Sequence, residues 1–157
     1  MSFKSQFLKI TTIGIGIVVL LFATLFNIQI FTAENQNPLP YTIIIGIVAI
    51  EVIFLLALAA VYFVYKIITK IIANDFFTTT VLTYIQRIKQ VLQGIFLFSL
   101  FTLPMFYWIA LGADAPGVVL FGLGLCFIPF VAALFLSVIK ELFQQMILIK
   151  EENDFTV

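Results

Sequence analysis

Glu51 lies in the middle of a long apolar run, between Ile43 and Tyr65. A carboxyl group in such a place has two kinds of chemistry open to it. It can stay neutral and hydrogen-bond a neighbouring helix, a contribution of about 1 kcal/mol. Or it can take up and release a proton or cation along a pathway through the membrane. Helix from Ile43 to Glu51 puts the carboxyl roughly 12 Å from the outer end of its run, close to a bilayer centre. The same counting brings Thr24, Thr102 and Cys126 to similar depth, with Ser99 slightly deeper and Asn27 shallower. Glu51, Thr24, Thr102 and Ser99 are therefore a candidate intramembrane polar site.

Little else in the sequence offers catalysis. There is no histidine, which removes the commonest general base and the commonest metal ligand together. Cys126 is the single cysteine, so no intrachain disulfide can form. With Gly122, Pro129, Ala133 and Ser137 it falls on one helical face, where small residues let helices approach closely. Its expected role is packing. No G-x-S-x-G elbow is present, and no span carries paired carboxylates. Gly14 and Gly16 have no strand before them and make no nucleotide fingerprint. The acidic cluster Glu151, Glu152 and Asp154 is expected to be solvated or paired with Lys70, Arg87 or Lys89. These residues predict a non-enzymatic protein with no cofactor and no metal. A formal net charge of +0 gives no global attraction to nucleic acid.

The elements that hold these residues follow from composition. Hydrophobic residues make up 63% of the chain and charged ones 10%, against about a quarter charged in a soluble domain. The apolar surplus must face lipid. Four stretches, 10–31, 43–65, 91–111 and 117–139, can each cross a hydrocarbon core of roughly 30 Å as a helix. In lipid the backbone must satisfy its own hydrogen bonds, so helices are expected throughout. The chain, 157 residues long, leaves room for one domain, 1–157, and no separate soluble one. The first stretch is long for a secretory signal, where roughly 7–15 apolar residues are usual, and is expected to stay as an anchor. Pro104 and Pro129 are expected to bend their helices.

Orientation comes from the basic residues. Lys4 and Lys9 precede the first span, and Lys66, Lys70, Arg87 and Lys89 separate the second and third. Lys140 and Lys150 follow the fourth. The other two loops, 32–41 and 112–116, carry none, and positive charge stays in the cytoplasm. Both termini are therefore expected inside. Tyr41, Tyr107 and Trp108 mark the outer interface, Tyr62 and Tyr65 the inner one. In the cytoplasmic loop, 66–90, Leu82, Ile85, Ile88, Leu92 and Ile95 recur at helical spacing. This predicts a third helix that starts in the cytosol, with Thr78 as its N-cap. Val138, Leu142, Phe143, Met146 and Ile147 extend the fourth helix into an amphipathic tail, 140–157. The expected fold is an all-α, antiparallel up-down bundle of four transmembrane helices, with helices 3 and 4 extended into the cytosol.

Two cytoplasmic segments resemble a known family. One is Asn74-Asp75-Phe76-Phe77-Thr78, followed by Leu82 and Ile85-Gln86-Arg87-Ile88. The other is the ending, Glu151-Glu152-Asn153-Asp154-Phe155-Thr156-Val157. Together they resemble the bacterial membrane family called domain of unknown function 2975. That family has a "pro-phe-ser" pattern in its loop and an ending like "glu-asn-asp-leu-thr-ile". Here Asp75 or Phe76 stands where the family has proline. The resemblance implies four spans over nearly the whole chain, and neighbours that encode small helix-turn-helix regulators. It carries over no catalytic residue and no cofactor. It does give weight to Asp75, Phe76, Phe77, Glu151, Glu152, Asn153 and Asp154 as a contact motif, with the two segments expected side by side. The functional expectation is a bacterial inner-membrane protein with regulatory, stress or self-protection duties, acting through a protein partner. The alternative is a small transporter, or a subunit of one, that uses Glu51.

Overall fold

A computed structural model describes residues 3–32, 39–73 and 78–154. The described residues form five helices: α1 (Phe3–Thr32), α2 (Tyr41–Ile72), α3 (Thr79–Leu100), α4 (Leu103–Gly112) and α5 (Gly117–Asp154). Four stretches are long and apolar enough to cross a membrane, namely Gln6–Thr32, Tyr41–Ile72, Thr79–Gly112 and Gly117–Lys150. The chain is all-helical, and these stretches pack as a bundle.

The third stretch is two helices rather than one. α3 ends at Leu100 and α4 begins at Leu103, with Phe101 and Thr102 in a turn. Pro104 is the cause. It has no amide hydrogen to give to the carbonyl of Leu100, and its ring crowds that carbonyl. The chain tightens there. Phe101 N–H donates to Phe98 O at 3.1 Å and Thr102 N–H to Ser99 O at 3.1 Å, each three residues back. α4 then starts with proline in its first turn, where the missing donor costs little. Pro129, by contrast, sits inside an unbroken α5.

A short turn joins α4 to α5. Asp114 takes φ 49° there, in the left-handed region. Ala113 N–H donates to Ile109 O at 3.0 Å and Ala115 N–H to Ala110 O at 3.0 Å, which satisfies the last carbonyls of α4.

Register is set by pairs of named contacts. Between α1 and α2, Lys9 lies over Tyr65, a methyl group on Gly16 would meet Val61, and Asn27 bonds Glu51. Between α3 and α5, Val81 and Ile85 meet Phe143 near one end, Phe96 meets Phe130, and Ser99 meets Cys126. α2 packs against α1, α3 and α4, and α5 against α3 and α4. α1 packs on α2, and it has no comparable contact with α3, α4 or α5 among the described residues.

The tightest core lies at the basic end of the bundle. Val81 is fully buried, beside Ile85 and Phe143, with Ile67, Leu82, Leu136 and Ile147 packed around them. Val81 stands about 46 Å along α3 and α4 from Gly112, farther than a hydrocarbon core of roughly 30 Å. Thr78 holds the N-cap position of α3, and its carbonyl accepts the N–H groups of Val81 at 3.1 Å and Leu82 at 3.2 Å. Asp75, Phe76 and Phe77 lie outside the described residues. So do residues 155–157 and the side chains of Glu151, Asn153 and Asp154. The expected contact between the two motif segments therefore falls outside them as well. Glu152 is exposed.

Candidate functional site

Glu51 is half-buried on α2 and faces α1. Its Oε1 accepts a hydrogen bond from Asn27 Nδ2 at 2.9 Å. The same amide nitrogen donates its second hydrogen to Ala23 O, also at 2.9 Å. Asn27 thus spends one hydrogen on its own helix and one on the carboxyl of the next. The aromatic pair Phe26 and Phe54, with ring centres 6.0 Å apart, lies alongside.

Counting from span ends places Asn27 shallower than Glu51, because it sets those ends level. They are not level. Asn27 is about 8 Å from the end of α1, and Glu51 about 15 Å from the start of α2. α2 therefore overshoots α1 by one to two turns, and the asparagine meets the carboxyl.

The other three residues of the expected polar site do not bond Glu51. Thr24 is exposed, and its hydroxyl donates to Leu21 O at 2.9 Å within α1. Ser99 and Thr102 are buried on the far side of α2, at the break between α3 and α4. Ile50 and Ile53 are the α2 residues that face them across a cavity of about 330 Å³. At about 100° per residue, Ile53 points some 200° away from Glu51. The expected single layer is thus two groups on opposite sides of α2.

The second group is built around one carbonyl. Ser99 O accepts the amide of Thr102 at 3.1 Å, the hydroxyl of Thr102 at 2.6 Å and the thiol of Cys126 at 3.3 Å. Ser99 Oγ donates to Phe96 O at 2.7 Å. Each hydroxyl hydrogen is therefore spent on a backbone carbonyl three residues back. The cavity beside them is also lined by Phe106 and Pro129. Pro129 leaves the carbonyl of Leu125, another lining residue, without its usual donor four residues on.

Gly122, Cys126, Pro129 and Ala133 form the buried face of α5, and Ser137 is half-buried below them. A methyl group on Gly122 would lie 2.6 Å from the Phe106 ring, and one on Gly46 2.6 Å from Met105 Sδ. α4 is held between α2 and α5 by side chains that fill the space those glycines leave. The helical spacing of small residues on α5 carried this signal in the sequence. The Asn27 partnership carried none, because it depends on how two helices slide.

A family model described as "Protein of unknown function (DUF2975)" matches residues 30–157. The match begins at the end of α1 and takes in everything after it. The chain is 31% identical over 156 residues to "Uncharacterized membrane protein YoaS" of Bacillus subtilis (strain 168), covering 96% of each protein. No solved structure matches it.

Proposed function

Since the chain belongs to the DUF2975 family of membrane proteins, we propose that it is a non-enzymatic, multi-pass protein of a bacterial cytoplasmic membrane that works through protein contacts on its cytoplasmic face. In this reading the helices run up and down in antiparallel order. Both termini lie inside, and α3 and α5 extend into the cytosol. One observation carries it. The best-packed part of the molecule is the end where α2, α3 and α5 pass beyond a hydrocarbon thickness, around Val81, Ile85 and Phe143. Helices that served only to span would not need a dry core there. Gln86, Arg87, Glu141, Gln144 and Gln145 are exposed on that end and give it a polar surface of mixed charge.

The test is photocrosslinking in living cells from single sites. Crosslinkers at Gln86, Arg87 and Gln145 should give one discrete adduct of the same size. Crosslinkers at Leu120 and Phe135, exposed in the span, should not. Absence of any adduct at all three polar sites would overturn the reading.

The second reading, a small transporter, draws on Glu51, a carboxyl deep in a span. Its hydrogen bond to Asn27 supports a clasp between α1 and α2 more directly than a relay, since the amide cannot pass a proton on at neutral pH. Proton-coupled flux in liposomes that disappears with Glu51→Gln would favour transport over contact.

A further inference from the structure

At the basic end of the bundle, α1 and α2 part to leave a groove of about 270 Å³, lined by Thr12, Ile13, Leu58, Val61, Tyr62 and Tyr65. Its walls are almost wholly apolar, and it opens on the lipid side, where Ile13 and Tyr62 are each about half exposed. Two ammonium groups stand at its mouth. Lys9 Nζ lies 5.9 Å from the centre of the Tyr65 ring, and Lys66 Nζ 5.4 Å from that of Tyr62. Both rings belong to the groove. Neither lysine has a carboxylate partner among the described residues; each rests on a tyrosine instead.

Depth matters here. Lys9 stands about 34 Å along α1 from Thr32, and Lys66 about 38 Å along α2 from Tyr41. Both heads therefore sit at the level of the lipid headgroups, one hydrocarbon thickness from the other face. Their stems lie against apolar wall while the charges reach the interface.

We propose that this groove is a binding site for an anionic phospholipid, with its phosphate between Lys9 and Lys66 and one acyl chain laid along Ile13, Leu58 and Val61. The two parts of the site match the two parts of such a lipid. Two cations with no carboxylate partner among the described residues fit an anionic headgroup, with the tyrosine hydroxyls as further donors. An apolar trough leading from them toward the bilayer centre fits a chain and has no use for a free phosphate ion. The site also explains how α1, whose main packing among the described residues is on α2, is held at this end, since Glu51 and Asn27 join the two helices farther along. The lipid bridges the two helices.

Native mass spectrometry of the detergent-purified protein tests this, with phosphatidylglycerol and phosphatidylcholine of the same acyl chains. The wild type should retain phosphatidylglycerol at least about tenfold more tightly. Lys9→Gln and Lys66→Gln should each reduce that preference about threefold, and together should abolish it. Lys140→Gln with Lys150→Gln, on α5, should leave it intact. Ile13→Trp, which fills the trough, should weaken both lipids. Equal retention of the two lipids by the wild type would overturn the proposal, as would a preference that survives loss of both lysines. A preference lost equally in the α5 control would reduce it to general surface charge and overturn it too. Displacement of phosphatidylglycerol by low-millimolar inorganic phosphate would show that the trough adds nothing, and the lipid assignment would fall.

Discussion

Asn27 and Glu51 are two polar residues that each carry the other's justification. Glu51→Gln keeps an oxygen that can accept from Asn27 Nδ2, so its effect on stability should be close to zero. Glu51→Leu leaves that N–H facing an alkyl group and should cost on the order of 1 kcal/mol. Unfolding in detergent of Glu51→Leu, Asn27→Leu and the double variant should give a coupling of about 0.6 to 1.7 kcal/mol. Additive effects would mean that the bond contributes nothing. The carboxyl itself was legible in the sequence, because a charge-bearing group in an apolar run stands out. Its partner was not, because helix ends do not mark helix depth. Cys126 makes a second residue-scale case. It is 2% exposed, with its thiol on Ser99 O. A maleimide should leave it unmodified in the folded protein and modify it fully in denaturant. Cys126→Ser should be tolerated, since a hydroxyl can give the same bond. Cys126→Leu should cost about 1–3 kcal/mol by overpacking.

Among the elements, α4 is the one that composition concealed. Residues 91–111 are predominantly apolar, and nothing in their hydropathy marks a division. Only Pro104 does, and a proline in lipid can equally sit inside a continuous helix, as Pro129 does in α5. What decides is the neighbouring backbone. Ser99 and Thr102 supply hydroxyls that bond carbonyls three residues back, at 2.7 and 2.6 Å. Near Pro129 the sequence offers Cys126 alone. The broken helix is then wedged in place by glycine, which gives a controlled test. Gly122→Leu would drive carbon into the Phe106 ring, whereas a methyl group on Gly124 meets nothing within 4 Å. Thermal unfolding in detergent should show Gly122→Leu destabilised by about 1–3 kcal/mol. Gly124→Leu should stay within about 0.5 kcal/mol of the parent. Equal effects would mean that α4 is not seated on α5 in this way. The four long helices were plain from length and hydropathy. The seat of α4 was not, because it depends on which side chain enters which gap.

At the scale of the whole molecule, one end carries all the basic residues and the other carries none. All eight lysine and arginine residues fall at the start of α1, the end of α2, the first half of α3 and the second half of α5. Contacts gather those segments at one end: Lys9 with Tyr65, Phe63 with Tyr84, and Val81 with Phe143. The opposite end carries Tyr41, Tyr107 and Trp108, all exposed, and the Asp114 turn. Short loops follow the positive-inside rule closely, because each basic residue adds to the cost of translocation. With eight on one side and none on the other, the basic end should face the cytoplasm. Single cysteines read this directly, since buried Cys126 stays silent as a background. Ala113→Cys, in the exposed turn between α4 and α5, should react with an impermeant maleimide on intact cells. Gln86→Cys and Gln145→Cys, exposed on α3 and α5, should react only after the membrane is opened. The reverse pattern would invert the molecule and move the platform around Val81 and Phe143 outside the cell. The contact reading would fall with it. Labelling of Gln86→Cys and Gln145→Cys from opposite sides would be more damaging still. Those two residues flank one core, and no membrane can pass between Val81 and Phe143 while the two are packed together.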